Sequence, residues 1–208
     1  MRQSGTTLWD ASASRRVTIS TRRDTSRELV QWIPAIWNTN LEIAYVVGAY
    51  HDIGITKGRE NHALSSGKIV RYDKTLHSFF DKDTIELIAQ AVEDHSSHLS
   101  YTPRSIYGKI VADADRNNSL YLVFSRPIKY GLKHDKGLAK AEHITSVYDF
   151  VVSKFGRHGY VKYHLDIAST KKAQSQVWEL LDNKPECFAY ISGLIDEITK
   201  GKYAPKQN

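Results

Sequence analysis

Seven histidine and aspartate residues in the middle of the chain have side chains that can bind metal ions: His51, Asp52, His62, His95, His98, Asp113 and Asp115. Imidazole nitrogens combined with carboxylate oxygens suit Mn, Fe, Co, Ni or Zn. One or two such ions can lower the pKa of a bound water and hold a phosphoryl group in place. The chemistry that these residues offer is therefore metal-assisted hydrolysis, provided that the fold brings them together.

The sequence around the first of these residues predicts two helices. Residues 41–52 read LEIAYVVGAYHD, which is apolar nearly all round and is typical of a buried helix. Residues 62–73 read HALSSGKIVRYD and predict a second helix, with Leu64, Ile69 and Val70 facing inward. His51 and Asp52 thus end one helix, and His62 begins the next.

A third helix, over residues 81–98, has the clearest amphipathic pattern in the chain. Ile85, Ile88 and Val92 recur on one face, and His95 follows Val92 by three residues on that same face. We therefore expect the His95 side chain to point toward the core.

Further helices are predicted over residues 106–124, 140–155 and 170–200, with less regular structure beyond Pro127. Asp113 and Asp115 both lie on the first of these helices. They are two residues apart and so point about 200° from each other, which lets only one of them face a shared site. Helices account for all of the predicted regular structure, so the predicted fold class is all-α.

Composition and charge narrow the class of protein. Apolar residues make up 41% and charged residues 25% of the chain, which is ordinary for a soluble domain. No apolar run is long enough to span a membrane, the first residues lack the apolar core of a signal peptide, and Cys187 is the single cysteine. These features favour a cytoplasmic location. The net charge of +6 favours anionic partners, but the sequence contains no recognised nucleic-acid-binding motif. Whether the chain forms a homo-oligomer stays open.

Four short motifs in the chain occur in an order that resembles that of the HD-domain superfamily of metal-dependent phosphohydrolases. Their amino-acid sequences are similar to those of small bacterial HD proteins. The motifs that carry the resemblance are AYHDIG at 49–54, NH at 61–62, VEDHSSH at 92–98 and KIVADADR at 109–116. The resemblance covers about residues 40–125. It implies an HD-like helical core that holds one or two divalent transition-metal ions, whose identity stays open among Mn, Fe, Co, Ni and Zn.

The resemblance also implies roles for single residues. His51 and Asp52 match the central pair of the superfamily, in which the aspartate can bridge two ions, and Asp115 matches the last metal ligand. His62 and His95 match the extra histidines of members that hold a second ion. We predict Asp52 and His95 as catalytic residues. Taken alone, each of these groups could equally be an ordinary structural side chain.

Five further side chains are predicted to contact substrate: Lys57, Arg59, His98, Arg104 and Arg116. They lie close in sequence to the predicted ligands, and arginine and lysine both bind phosphate oxygens. Charged residues near helix ends are also common as solvated caps, and His98 could instead face solvent.

The superfamily usually has a histidine on the first core helix, but this chain has none before His51. The corresponding segment, residues 11–37, is rich in Arg, Ser and Thr and lacks helical periodicity. Our hypothesis is that this segment is frame-shifted or degenerate. The predicted organisation is an irregular segment at 1–39, an HD core at 40–125 and a C-terminal helical extension at 126–208.

These features predict a metal-dependent phosphohydrolase that acts on a nucleotide or another small phosphorylated metabolite. Two alternatives stay open at this point. One is a catalytically impaired module that binds metal or nucleotide without turnover, consistent with the missing histidine. The other is a di-iron oxygenase of the same superfamily.

Overall fold

Eight α-helices form the part of the chain that the structure describes. The structure is a computed structural model, and it describes residues 39–116, 119–135 and 137–200. Within these ranges there are also two short 3-10 helices, Ile53–Lys57 and Leu76–Ser78, and no β-strand. The prediction of an all-α fold is confirmed. The α-helices in chain order are α1 (Leu41–Tyr50), α2 (His62–Tyr72), α3 (Lys82–Glu93), α4 (Ile106–Arg116), α5 (Leu120–His134), α6 (Lys140–Phe155), α7 (Ala168–Asp182) and α8 (Lys184–Thr199).

Helix α1 begins where a side chain satisfies its first free N–H groups. The Asn40 side-chain oxygen accepts hydrogen bonds from the N–H groups of Glu42 and Ile43, at 2.8 and 3.3 Å. Ile43, Ala44 and Val47 of this helix are buried. Burial of this face fixes the end of the helix, where His51 and Asp52 follow directly.

Helix α3 is the amphipathic helix that the sequence predicts. The Asp81 carboxylate caps it by accepting the N–H of Thr84 at 2.8 Å. Ile85, Ile88 and Val92 are 3% exposed or less, so the predicted inward face is confirmed. Helices α1 to α4 share one apolar core built from these residues and the following: Ile43, Val47, Val70, Leu76, Ala89, Ala91 and Val111.

Two details of the first helices differ from the sequence-based expectations. Leu64 is 61% exposed, because the inward face of α2 is formed by Ala63, Ser66, Gly67 and Val70. The helix predicted over 106–124 is two helices, because the Ser119 hydroxyl caps a new one by accepting the N–H of Leu122.

Pro127 and the C-terminal segment also differ from expectation. Pro127 lies inside α5, which continues to His134 although proline cannot donate a backbone hydrogen bond. The segment predicted as helical over 170–200 is divided at Asn183, whose side chain caps α8 by accepting the N–H of Glu186.

The C-terminal helices α5 to α8 enclose a second apolar core, which centres on residues such as Phe124, Val151, Val177, Ile191 and Ile195. The segment between α6 and α7 joins this half to α4. Its Leu165 and Ile167 pack against Ile110 and Ala114 of α4. This junction lies next to the end of α4 that carries Asp115.

Gly54, the glycine of the HDIG motif, is required by close packing of the first 3-10 helix against α2. A Cβ atom at this position would clash with the His62 carbonyl oxygen and lie 2.5 Å from the backbone nitrogen of Ser66. The Gly54 N–H also donates to the Ser66 hydroxyl at 2.8 Å. The glycine therefore lets the turn after His51 and Asp52 approach the start of α2.

We expect Gly54→Ala to lower the free energy of unfolding by about 2 kcal/mol, because backbone atoms cannot yield to the added methyl group. Gly193→Ala is the matched control, since nothing lies within 4 Å of its added Cβ and it lies inside α8. The control should be neutral or stabilise by up to about 1 kcal/mol. Urea unfolding of both variants measures the difference, and equal stability of the two would refute this role of Gly54.

Candidate metal centre

The structure brings the five predicted ligands to one place at the ends of four helices. His51 and Asp52 follow the last residue of α1, and His62 is the first residue of α2. His95 lies just beyond the end of α3, and Asp115 is the penultimate residue of α4. His51 and His95 are 2% and 3% exposed, so these ring nitrogens face a protein-lined interior.

One half of the centre consists of Asp52, His62 and His95. The Asp52 Oδ1 atom lies 3.4 Å from Nε2 of His62 and 3.5 Å from Nε2 of His95. The two Nε2 atoms lie 3.0 Å from each other. These three groups offer ligand atoms that lie within 4.8 Å of one another, which is the spacing of a set that can share one metal ion.

The other half consists of His51 and Asp115, joined to the first by the same aspartate. The Asp52 Oδ2 atom lies 3.6 Å from Nε2 of His51, and that nitrogen lies 3.9 Å from Oδ1 of Asp115. The two oxygens of Asp52 thus face different groups of ligands. A carboxylate placed in this way can bridge two ions.

Hydrogen bonds fix the protonated nitrogen of all three histidines. Nδ1 of His51 donates to the Gly48 carbonyl at 2.7 Å, Nδ1 of His62 to that of Arg59 at 2.8 Å, and Nδ1 of His95 to that of Val92 at 2.6 Å. Because a carbonyl can only accept, each Nδ1 carries a hydrogen, which leaves the Nε2 lone pair of each neutral ring for the centre. This arrangement is typical of metal-binding histidines.

The charge states follow from the surroundings. Burial opposes ionisation of Asp52, but the hydrogen bond from His95 and the charges of the three histidines lower its pKa to about 2. Burial, followed by the charge of His95, lowers the pKa of His51, which keeps that ring neutral. For His95 burial acts in the opposite direction, yet the hydrogen bond to Asp52 and the charge of Asp115 raise its pKa above the ordinary value.

The donor set fits a divalent transition-metal ion. Two neutral imidazoles whose Nε2 lone pairs lie 3.0 Å apart repel each other unless a proton or a cation lies between or beside them. His62, His95 and Asp52 together supply two nitrogens and an ionised oxygen, the mixture that Mn, Fe, Co, Ni and Zn prefer. The residues therefore match the group that the sequence predicts.

Asp113 and Asp115 separate as their spacing requires. Asp113 is fully buried, and its carboxylate accepts the N–H groups of His164 and Leu165 at 2.7 to 2.9 Å. Burial raises its pKa to about 6. Asp113 therefore anchors the segment before α7, whereas Asp115 faces the metal centre.

Arg104 has a different role from the predicted substrate contact. Its guanidinium donates to the carboxylates of Asp94 and Glu93, at 2.8 Å for the shortest contact with each, and to the Gln90 carbonyl. Asp94 is fully buried. These acceptors already use the fork of donors that a phosphate would need, so Arg104 closes the loop after α3 onto that helix. Sequence proximity to His95 misled the prediction.

Arg116 also departs from the prediction. It is 5% exposed, and its guanidinium donates to the carbonyl oxygens of Lys162, His95 and Ser96, with His164 Nε2 as a further partner. These groups use four of its donors, so it clamps chain segments together and does not offer a free fork to phosphate.

The remaining three predicted substrate contacts stay predictions. Lys57 and Arg59 are exposed, on the turn that leads to His62. The His98 ring is stacked on Tyr160, with the ring centres 5.1 Å apart. None of the three belongs to the cluster of ligands.

Lys154 of α6 is a basic residue that the sequence reasoning missed. Burial lowers its pKa, as do the charges of Arg126, Arg116 and Arg59, while the charge of Asp115 raises it. The charge of Lys154 therefore interacts with the carboxylate of Asp115, one of the predicted metal ligands. Lys154 comes from the C-terminal helices, and no motif in the sequence indicates that they reach the site.

The family comparison agrees with this arrangement. Residues 24–117 match the family model of the HD domain. The match identifies this part of the chain as an HD domain, and HD domains bind divalent metals and are generally phosphohydrolases. No curated protein and no solved structure matches the chain significantly. No helix among the described residues is long and apolar enough to cross a membrane.

The hypothesis of a frame-shifted segment at residues 11–37 lies outside the described residues, which begin at Thr39. The family match begins at residue 24, within that segment. The absence of a histidine before His51 is a property of the sequence. Within the described part of the chain, the five predicted ligands come together, and Asp52, His62 and His95 among them have the spacing of a set that can share one metal ion.

Metal affinity should fall in acid. The raised pKa of His95 means that its ring holds a second proton up to a pH above 6.5, and a metal ion must displace that proton. We expect the apparent affinity to rise with pH through this range, by about tenfold per pH unit for each proton displaced. Calorimetric titration with Mn²⁺ between pH 5.5 and 7.5 measures this slope. An affinity independent of pH would contradict the assignment of His95 as a ligand.

Proposed function

We propose that this protein is a metal-dependent phosphohydrolase that acts on a small phosphorylated metabolite, with nucleotides included in that class. The observation that carries the proposal is the position of Asp52 between two groups of inward-facing ligands. An ionised carboxylate and three Nε2 atoms meet there, in a chain that contains an HD domain. This is the donor set required for hydroxide formation near neutral pH.

The residues of the chain have separable tasks in this proposal. Divalent ions bound by His51, Asp52, His62, His95 and Asp115 would supply Lewis acidity toward a phosphate oxygen and a bound water. Asp52 holds the two halves of the site at a fixed spacing. Backbone carbonyls orient the three imidazoles, so that little reorganisation is needed when substrate binds.

Substrate access and charge also support a phosphorylated substrate. The Asp115 side chain is 39% exposed, which leaves one side of the centre open. Lys154 and Arg59 bring positive charge near that side. Cations beside a metal centre balance the negative oxygens of a phosphate ester as charge moves toward the leaving group.

Hydrolysis of a panel of phosphorylated metabolites, with Mn, Co, Ni, Fe or Zn added, tests the proposal. We expect activity that a chelator abolishes and added metal restores. His62→Ala should lose most of it, whereas His158→Ala, at an exposed histidine, should retain it. Absence of hydrolysis with every metal would refute the proposal.

The two alternatives give different results in the same preparation. Nucleotide binding without hydrolysis would support an impaired binding module. Bound iron with oxygen consumption on a polyol would support an oxygenase.

A further inference from the structure

A polar pocket is lined by residues that directly follow two of the predicted metal ligands in the chain. It has a volume of about 190 Å³ and is lined by the loop after His95, by Arg116, and by the segment before α7, through the following residues: Ser96, Ser97, Leu99, Ser100, Tyr101, Thr102, Arg116, Tyr160, Lys162 and His164. Ser96 directly follows the ligand His95, and Arg116 directly follows the ligand Asp115. Two of the lining residues are thus direct chain neighbours of ligands, although none of the five ligands lines the pocket.

The lining has the chemistry of an anion-binding site. It contains hydroxyl groups on six residues, the basic side chains of Arg116 and Lys162, and the imidazole of His164, whose pKa is lowered by burial and by the charge of Arg116, and it contains no carboxylate. Leu99 is its only aliphatic side chain. Hydroxyl and cationic donors without a competing carboxylate favour a ligand that is both hydroxylated and negatively charged.

Arg116 contributes a buried positive charge to the wall of this pocket. The guanidinium is buried, and its partners are three carbonyl oxygens and an imidazole nitrogen. None of these partners is a carboxylate, although the charges of Asp113 and Asp115 also act on the guanidinium. A positive charge held in this way at the wall of a small pocket attracts an anion even without donating a hydrogen bond to it.

The size of the pocket limits what it can hold. Sites for drug-sized ligands measure about 300 to 1,000 Å³, so a pocket of about 190 Å³ suits one part of a substrate. The two tyrosine rings of the lining already have partners, because His98 stacks on Tyr160 and the Arg104 guanidinium lies over the ring of Tyr101, 5.7 Å from its centre. A sugar phosphate fits the hydroxyl and cationic lining better than a base does.

We propose that this pocket binds a phosphorylated sugar moiety of the substrate while the metal centre acts on a separate phosphate. The substrate class is then a sugar that carries two phosphate groups. This inference rests on the proposed function for the metal centre. Lys162 on one wall would contact the distal phosphate, the hydroxyls of the 96–102 loop would contact the sugar, and the charge of Arg116 would favour the complex.

Binding to the full-length protein as purified tests the pocket. The probes are ribose 5-phosphate and inorganic phosphate, because only the first can place a sugar in the pocket. We expect ribose 5-phosphate to bind at least tenfold more tightly than inorganic phosphate. Lys162→Glu should weaken the affinity for ribose 5-phosphate at least tenfold, since a carboxylate there repels the distal phosphate. Lys172→Glu, an equal charge reversal at an exposed position of α7, should preserve it.

Two binding results would overturn the pocket proposal: equal affinity of the wild-type protein for both probes, or unchanged affinity for ribose 5-phosphate in Lys162→Glu. A second variant, Ser100→Asp, introduces a negative charge from the opposite wall and should act as Lys162→Glu does. Its failure to do so would also count against the proposal.

Hydrolysis separates this inference from the proposed function. The wild-type ratio of kcat/KM for fructose 1,6-bisphosphate over fructose 6-phosphate should be at least ten, and Lys162→Glu should reduce it toward one. Hydrolysis of both compounds at equal rates would leave the proposed function standing and refute the pocket. Sugar-phosphate binding that depends on Lys162, without hydrolysis of any ester, would uphold the pocket and refute the function.

Discussion

Asp52→Asn should lower the affinity for divalent metal by roughly 100-fold or more and abolish metal-stimulated hydrolysis. The Asp52 carboxylate lies 3.4 to 3.6 Å from Nε2 of all three histidines and joins the two halves of the centre. An amide carries no charge and turns an N–H₂ donor toward one half, so the bridge is lost. Loss of groups that merely orient ligands costs about 10- to 100-fold, and loss of the shared ligand should cost at least as much.

Asp149→Asn provides the matched control, since Asp149 is exposed on α6 and lies outside the centre. Calorimetric titration with Mn²⁺ and assays of metal-dependent hydrolysis should distinguish the two variants. Circular dichroism should show that both remain helical. Wild-type metal affinity in Asp52→Asn would be incompatible with a bridging role.

Arg116→Met should lower the free energy of unfolding by roughly 3 kcal/mol. The guanidinium joins the end of α4 to the loop after α3 and to the segment before α7, by hydrogen bonds of 2.6 to 3.2 Å. Each buried carbonyl that loses its donor costs about 1 to 3 kcal/mol, and methionine retains the apolar contacts of the stem without any donor. The same change should also weaken sugar-phosphate binding in the adjacent pocket, because it removes the charge.

Arg126→Met, at an exposed arginine of α5, should change stability by no more than about 0.5 kcal/mol. The midpoint of urea unfolding measures both variants under identical conditions. If the Arg116 and Arg126 variants unfolded at the same urea concentration, the hydrogen bonds of the Arg116 guanidinium would not contribute to stability.

Helical periodicity predicted the inward orientation of His95 and the divergence of Asp113 and Asp115, whereas the assignment of the ligands came from the resemblance to HD domains. Ile85, Ile88 and Val92 define the buried face of α3, and His95 continues that face by three residues. Likewise, the spacing of Asp113 and Asp115 required them to diverge, and the structure places them on different neighbours. These relations depend on positions within one helix, which a sequence specifies directly.

The functions of Arg104 and Arg116 could not be predicted in this way. Both lie near ligands in the sequence, but the partners of Arg116 include Lys162 and His164, which are 46 and 48 residues away. Asp94 and Glu93 compete successfully for Arg104 because the loop after α3 folds back on that helix. Contacts of this kind depend on the path of the chain between helices, which carries no periodic signal.

The pocket was missed for the same physical reason. Its walls come mainly from the 96–102 loop and the 160–164 segment, and neither segment contains a recognised binding motif when considered alone. The carboxylate of Asp113 holds the second segment in place through two backbone N–H groups. A structural aspartate that the sequence offers as a candidate ligand therefore helps to shape the pocket.

The most direct test of the central claim is an anomalous difference map from a crystal of the full-length protein grown with Mn²⁺ or Zn²⁺. The account predicts a peak about 2.0 to 2.2 Å from Nε2 of His62, from Nε2 of His95 and from a carboxylate oxygen of Asp52. If a second ion is bound, its peak should lie next to His51 and Asp115. A map with no peak among these residues, or with its peaks only at other histidines, would contradict the account.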